Sequence, residues 1–209
     1  ILLASQGQLT GACWLVFAGA LFDVLDGLAA RALGGGSPLG GQLDSLADMV
    51  TFGVAPVALL FIQASIFSGN LFDPSLIPGF ERLPYPDRPS SWPQGAAAIL
   101  LVVASCWRLA KFNLDTRQTS GFLGLPTPAN GLFWVSIVLV ANHVAVHSGP
   151  GHNELVHMVR DLLKSPVALL LMAVVLSTLM LSELPLPSLK FKHFGWTGNE
   201  VIHLLLGIG

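Results

Sequence analysis

Residues 8–67 read QLTGACWLVFAGALFDVLDGLAARALGGGSPLGGQLDSLADMVTFGVAPVALLFIQASIF, two apolar runs joined by a glycine-rich break. The first run, about Gln8 to Leu33, opens apolar and closes on Asp23, Asp26 and Arg31. The second, about Leu39 to Phe67, opens with Asp44 and Asp48 and then turns apolar. A hydrocarbon core about 30 Å thick needs about 20 residues of helix, and each run is long enough. Gly34, Gly35 and Gly36 break the first helix, and Ser37-Pro38 suits the start of the next. So short a link predicts antiparallel neighbours.

Composition extends this reading to the whole chain. Of 209 residues, 53% are hydrophobic and 11% charged, against about 25% charged in soluble domains. So few charges cannot cover a water-exposed surface, and the apolar residues fall in long blocks. With a net charge of -2 there is no basic field for nucleic acid. Cys13 and Cys106 sit far apart in apolar stretches and read as small core residues. Further spans are expected at about Gln94–Asn113, Thr127–His147 and Pro166–Leu184, with polar links at Leu114–Gly124 and Pro185–Asn199. Residues 68–93, with many prolines and mixed charges, read as a loop outside the membrane. The fold class is therefore all-α, a polytopic transmembrane helix bundle forming one domain over 1–209. Ile1–Ser5 and Val201–Gly209 read as fragments of further apolar segments, so the chain reads as trimmed at both ends.

Basic residues set the expected orientation. Arg31, Arg108, Lys111, Arg117, Lys190 and Lys192 share one side, while Arg82, Arg88, Arg160 and Lys164 lie on the other among acids. The acidic cluster is thereby placed at the cytoplasmic face.

Asp23 and Asp26 are three apart and Asp44 and Asp48 four apart, so each pair shares a helical face. Carboxylates at membrane depth are costly and need partners or a function. Four together repel unless cations neutralise them. Oxygen ligands favour Mg²⁺ or Mn²⁺, and two such ions can bridge phosphate oxygens. Arg31, near the same face, suits a phosphate. Gly27 and Ala30 leave room for a flat ligand and Gly40 permits close helix approach, with ordinary helix packing the simpler reading of these three taken alone. Thr51 is a candidate to hydrogen-bond a phosphate, with a bond to its own helix backbone as the commoner alternative. The six histidines form no compact ligand pattern. Salt bridging or helix capping is the bland alternative for the acids, but Arg31 is the one counter-charge nearby in sequence.

Asp23-x2-Asp26-Gly27-x2-Ala30-Arg31-x8-Gly40-x3-Asp44-x3-Asp48 resembles the CDP-alcohol phosphatidyltransferase motif at every fixed position. Leu43–Pro56, Arg108–Asn113 (with Lys111 where Arg is usual) and Phe122–Ala129 look like blocks of the phosphatidylserine synthase branch. The resemblance implies six or more membrane helices, the first largely missing here, and a homodimer. It implies Asp23, Asp26 and Asp44 as metal ligands, with Asp48 both near the metals and the general base. It places Asp26, Gly27, Ala30 and Arg31 on the CDP portion. The implied reaction joins CDP-diacylglycerol and L-serine to give phosphatidylserine and CMP, in a multi-pass protein of a prokaryotic inner membrane. Serine's hydroxyl needs a base, and Asp48 is the candidate. Arg108, Lys111 and Asn113 end the third span on the same side and are the candidates to hold serine; Arg108 or Lys111 is placed to pair with the serine carboxylate or a phosphate, and capping the helix end is the alternative for Asn113. Positive-inside anchoring is the simpler alternative for those cations. Rival readings are another acceptor (glycerol phosphate, inositol phosphate or choline), an intramembrane-carboxylate ion transporter, and an inert scaffold. Acids gathered at one end argue against the transporter.

Overall fold

A computed structural model describes residues 1–34, 37–67, 92–114, 122–147 and 154–186. A short α1 (Leu2–Ser5) precedes the long α2 (Leu9–Ala32). After the glycine break, α3 (Pro38–Asp48), a π-helical segment (Met49–Val54) and α4 (Ala55–Phe67) form one continuous rod. Then come α5 (Trp92–Leu114), α6 (Thr127–His147), α7 (Glu154–Lys164) and α8 (Pro166–Leu181). The helix starts follow local chemistry. Ser37 caps α3 by accepting from the Gly40 amide at 3.0 Å, and Ser165 caps α8 by accepting from Ala168 at 3.3 Å, each just ahead of a proline. Gly40, expected to let neighbouring helices approach closely, lines a groove together with Gly27 and Ala30 of α2, and a Cβ there would stand 3.3 Å from the Ser37 hydroxyl that caps α3.

Three helical stretches, Leu9–Ala30, Leu39–Ile66 and Trp92–Leu114, are long and apolar enough to cross a membrane, and Thr127–Asn142 and Pro166–Leu181 are shorter apolar helices. This is the polytopic bundle expected. Its core joins Leu59 and Leu60 of α4, Leu101 of α5, Trp134, Val135 and Val138 of α6, and Leu169 and Ala173 of α8. α6 is central, touching α2, α4, α7, α8 and the π segment, while α5 packs most extensively on α8. α2 is covered on one face by Ala12, Cys13 and Val16, and presents Trp14, Leu15, Leu21, Phe22, Leu25 and Leu28 outward. Such a surface suits lipid or another apolar surface, not water.

Departures from the sequence reading are local. The loop expected at 68–93 yields Trp92 and Pro93 to α5; residues 68–91 lie outside the described residues, as do 187–209. The link between the fourth and fifth spans holds an unexpected amphipathic helix, α7, with Val159 and Leu163 buried and Asp161 and Lys164 exposed. Two residues of β1 (Phe122–Leu123) pair antiparallel with β2 (Pro185–Leu186) in an otherwise helical protein. Cys13 is buried as expected, but Cys106 is exposed on α5.

One end of the bundle gathers four chain segments. Lys111 near the end of α5 meets Glu183 beyond α8 at 2.7 Å. The Leu125 amide donates to the Leu179 carbonyl at 3.0 Å, bringing the start of α6 to the end of α8. Gly124, at φ +74°, has no space for a side chain: a Cβ would collide with the Ser182 carbonyl oxygen. Asn113 donates to the Ser45 hydroxyl at 2.9 Å, fixing α5 to α3. At the far end, Asn142 of α6 donates to Thr10 of α2 at 2.6 Å.

Candidate active site

The acids come from α2 and α3 as helical spacing requires. Ligand oxygens of Asp23, Asp26 and Asp44 lie within 4.8 Å of one another. The Asp48 carboxyl stands beside that of Asp23, and Asp44 and Asp26 add to the negative field on it. Asp26 and Asp44 are exposed, Asp23 and Asp48 half-buried. Among the described residues no cation pairs with any of the four. Packed like-charged groups of this kind are stable only when something positive joins them. An all-oxygen donor set open on one side fits a hard divalent cation that keeps part of its coordination for water or phosphate.

A groove of about 460 Å³ adjoins the acids, lined by Asp26, Gly27, Ala30, Gly41, Asp44 and Ala47 among others. The small residues expected to clear space for a flat ligand therefore do face a cleft with two of the acids on it. Gly41 and Ala47 were not singled out from sequence; they are one helical turn either side of Asp44, and only the α2–α3 packing shows that they line the cleft. Arg31 falls in the last turn of α2, and its side chain lies outside the described residues. Thr51 packs its methyl toward α2, where a Cβ on Gly19 would stand 3.0 Å away, one turn deeper than Asp23.

The third-span residues separate. Arg108 is buried, at 5% exposure, with its guanidinium 5.7 Å from the Phe112 ring centre. Lys111 is held by Glu183 and Asn113 by Ser45. Neither partner was legible in sequence, because 72 and 68 residues separate the members of these pairs. Ser45 also donates back to the Gly41 carbonyl at 3.1 Å, so it ties α5 to the turn between Gly41 and the second acidic pair.

The π-helical segment begins directly after Asp48. Such wide turns recur at functional sites, where they re-aim a helix face. Its Phe52 and Gly53 are buried against α6 and α5.

The CDP-alcohol phosphatidyltransferase family matches residues 1–194. This chain belongs to that family. A CDP-diacylglycerol–serine O-phosphatidyltransferase of Helicobacter pylori is 31% identical over 208 residues, covering 99% of this chain and 72% of its relative. Proteins of the same name from Methanocaldococcus jannaschii (34% identical, 64% of this chain, 53% of theirs) and Bacillus subtilis (31%, 64% and 63%) are also similar. No solved structure gives a significant match.

Proposed function

We propose that this protein transfers a phosphatidyl group from CDP-diacylglycerol to the hydroxyl of L-serine, giving phosphatidylserine and CMP. The observation that carries the reading is the convergence of Asp23, Asp26 and Asp44 within 4.8 Å, beside Asp48 and a groove of small residues. Serine as acceptor is supported by the names of the similar proteins.

Asp23, Asp26, Asp44 and Asp48 would hold Mg²⁺ or Mn²⁺, two ions in this reading, which when bound polarise the pyrophosphate and offset charge on departing CMP. Asp26, Gly27 and Ala30 receive the CDP portion in the groove, with Arg31 and Thr51 assigned to its phosphates. Asp48 accepts the proton of the serine hydroxyl as its oxygen attacks the lipid-bearing phosphorus. A new O–P bond forms, the bond from that phosphorus to the CMP oxygen breaks, and CMP leaves with the electron pair. Direct displacement needs no covalent enzyme intermediate. Arg108 pairs with the serine carboxylate. Lys111 and Asn113, also assigned to serine on sequence, brace the α5 end through Glu183 and Ser45 in this reading. The whole chain acts as one catalytic domain, as a homodimer in a prokaryotic inner membrane with the acids at the cytoplasmic face.

Purified protein supplied with CDP-diacylglycerol and, separately, L-serine, glycerol 3-phosphate, inositol phosphate and choline tests this by CMP release. Release is expected with L-serine, to stop with a chelator and to return with Mg²⁺ or Mn²⁺. Release with a different alcohol alone would change the acceptor, and release indifferent to chelation would remove the cation.

A further inference from the structure

A second polar layer begins level with Asp48, at the inner edge of the acids, and none of the roles above uses most of it. Two close approaches set its level. A Cβ on Gly131 of α6 would stand 2.5 Å from the Phe52 carbonyl oxygen, and one on Gly53 would stand 3.3 Å from the Ser105 Cβ of α5. The α3–α4 rod and α6 both start at the acidic end and run away from it, whereas α5 and α8 run toward it. One turn back from the Phe52–Gly131 contact puts Thr127 level with Asp48. One turn on from Ser105 puts Arg108 level with Met49. The bond between Leu125 and Leu179 puts Ser177, two residues deeper on α8, level with Thr127 as well.

Arg108, Thr127, Asn130 and Ser177 are buried at 5%, 2%, 1% and 3% exposure. Within this layer Thr127 Oγ1, Asn130 Oδ1 and Ser177 Oγ are buried oxygens with no hydrogen-bond partner. Buried polar atoms are nearly always satisfied, so three such oxygens on two helices call for a donor-bearing group. An ammonium carries three donors and no acceptor. Arg108 adds a buried planar cation, suited to a carboxylate. At the same level on the α3–α4 rod, Asp48 and Met49 are half-buried.

Resting on the transfer reaction above, we infer that Thr127 and Asn130, with Ser177 behind them, form the recognition site for the ammonium of a zwitterionic α-amino acid acceptor. Arg108 takes the carboxylate of the same molecule, and the acceptor's hydroxyl is left toward Asp48. The layer thereby selects against acceptors that carry a phosphate and no ammonium, which would leave these oxygens unpaired.

Equilibrium binding to the full chain in lipid nanodiscs, with no CDP-diacylglycerol present, is the test. L-Serine is expected to bind about tenfold or more tightly than 3-hydroxypropionate, which lacks only the ammonium. Asn130→Leu and Thr127→Val should each weaken L-serine by about tenfold and leave 3-hydroxypropionate nearly unchanged, whereas Asn130→Asp should retain serine binding. Equal binding of the two ligands by the unsubstituted protein would overturn the inference even if the variants fail to fold. So would unaltered serine binding in folded Asn130→Leu and Thr127→Val. CMP release by the unsubstituted protein is scored separately: its absence beside ammonium-dependent serine binding would remove the transfer reaction and keep this site.

Discussion

Two polar regions share one end of this bundle and are built on opposite terms. The outer one, Asp23, Asp26, Asp44 and Asp48, is acidic and open, with two of its members exposed. The inner one, Arg108, Thr127, Asn130 and Ser177, carries a single positive charge and is almost fully buried. An open cluster of like charges suits a ligand that brings its own cations and large phosphates and then leaves. A closed layer of neutral oxygens suits a small solute that must be told from similar ones. In the proposed reaction, charge density at the rim carries the chemistry and desolvation beside it the choice of acceptor.

The sharpest way to break this division is Asp48→Asn. CMP release should fall by about 10²–10⁴-fold, the usual weight of a positioned acid or base, with the protein still folded. Near-normal turnover would take the proton-accepting role away from the rim. Arg108→Ala should raise the apparent KM for serine about tenfold or more while leaving that for CDP-diacylglycerol in place. A selective loss of CDP-diacylglycerol affinity would assign Arg108 to the phosphates and join the two regions. Gly131→Ala attacks the seam between them, since its methyl would meet the Phe52 carbonyl oxygen at 2.5 Å. It should destabilise by about 1–3 kcal/mol, read as a lower unfolding midpoint in detergent. An unchanged midpoint would mean that α6 and the π segment separate freely. The smallest effect belongs to Lys111 and Glu183, paired at 2.7 Å but 38% and 57% exposed. A double-mutant cycle on thermal stability should give a coupling of no more than about 1 kcal/mol; a larger one would make the pair part of the core.

The rim was legible in sequence because its information is local. Spacings of three and four put Asp23 with Asp26 and Asp44 with Asp48, and the glycine break with Ser37-Pro38 joined the two helices. The spans were legible for the same reason, with Thr127–His147 recovered at both ends and Gln8–Leu33 within a residue of Leu9–Ala32. α7 carried a readable signal that was passed over, the buried pair Val159 and Leu163 at helical spacing amid charges. The inner region had no such signal. Thr127 and Asn130 look like ordinary polar residues at the start of an apolar helix, and their level against Asp48 depends on contacts between segments distant in sequence. Likewise nothing in MVTFGV announces a π turn.

That turn has a consequence for how this rod can change. A helix advances about 100° per residue, and a π turn amounts to one residue more than the α-helix would hold. Deleting any one residue of Met49–Val54 would let the rod relax to regular geometry. Rewinding the same six residues as α-helix with none deleted would instead turn α4 by about 100° relative to Asp44 and Asp48, so that the core and the carboxylates could not both stay in step. The bearing of Asp44 and Asp48 and the bearing of the hydrophobic interior are two separate settings on a single rod, and six residues hold the offset between them.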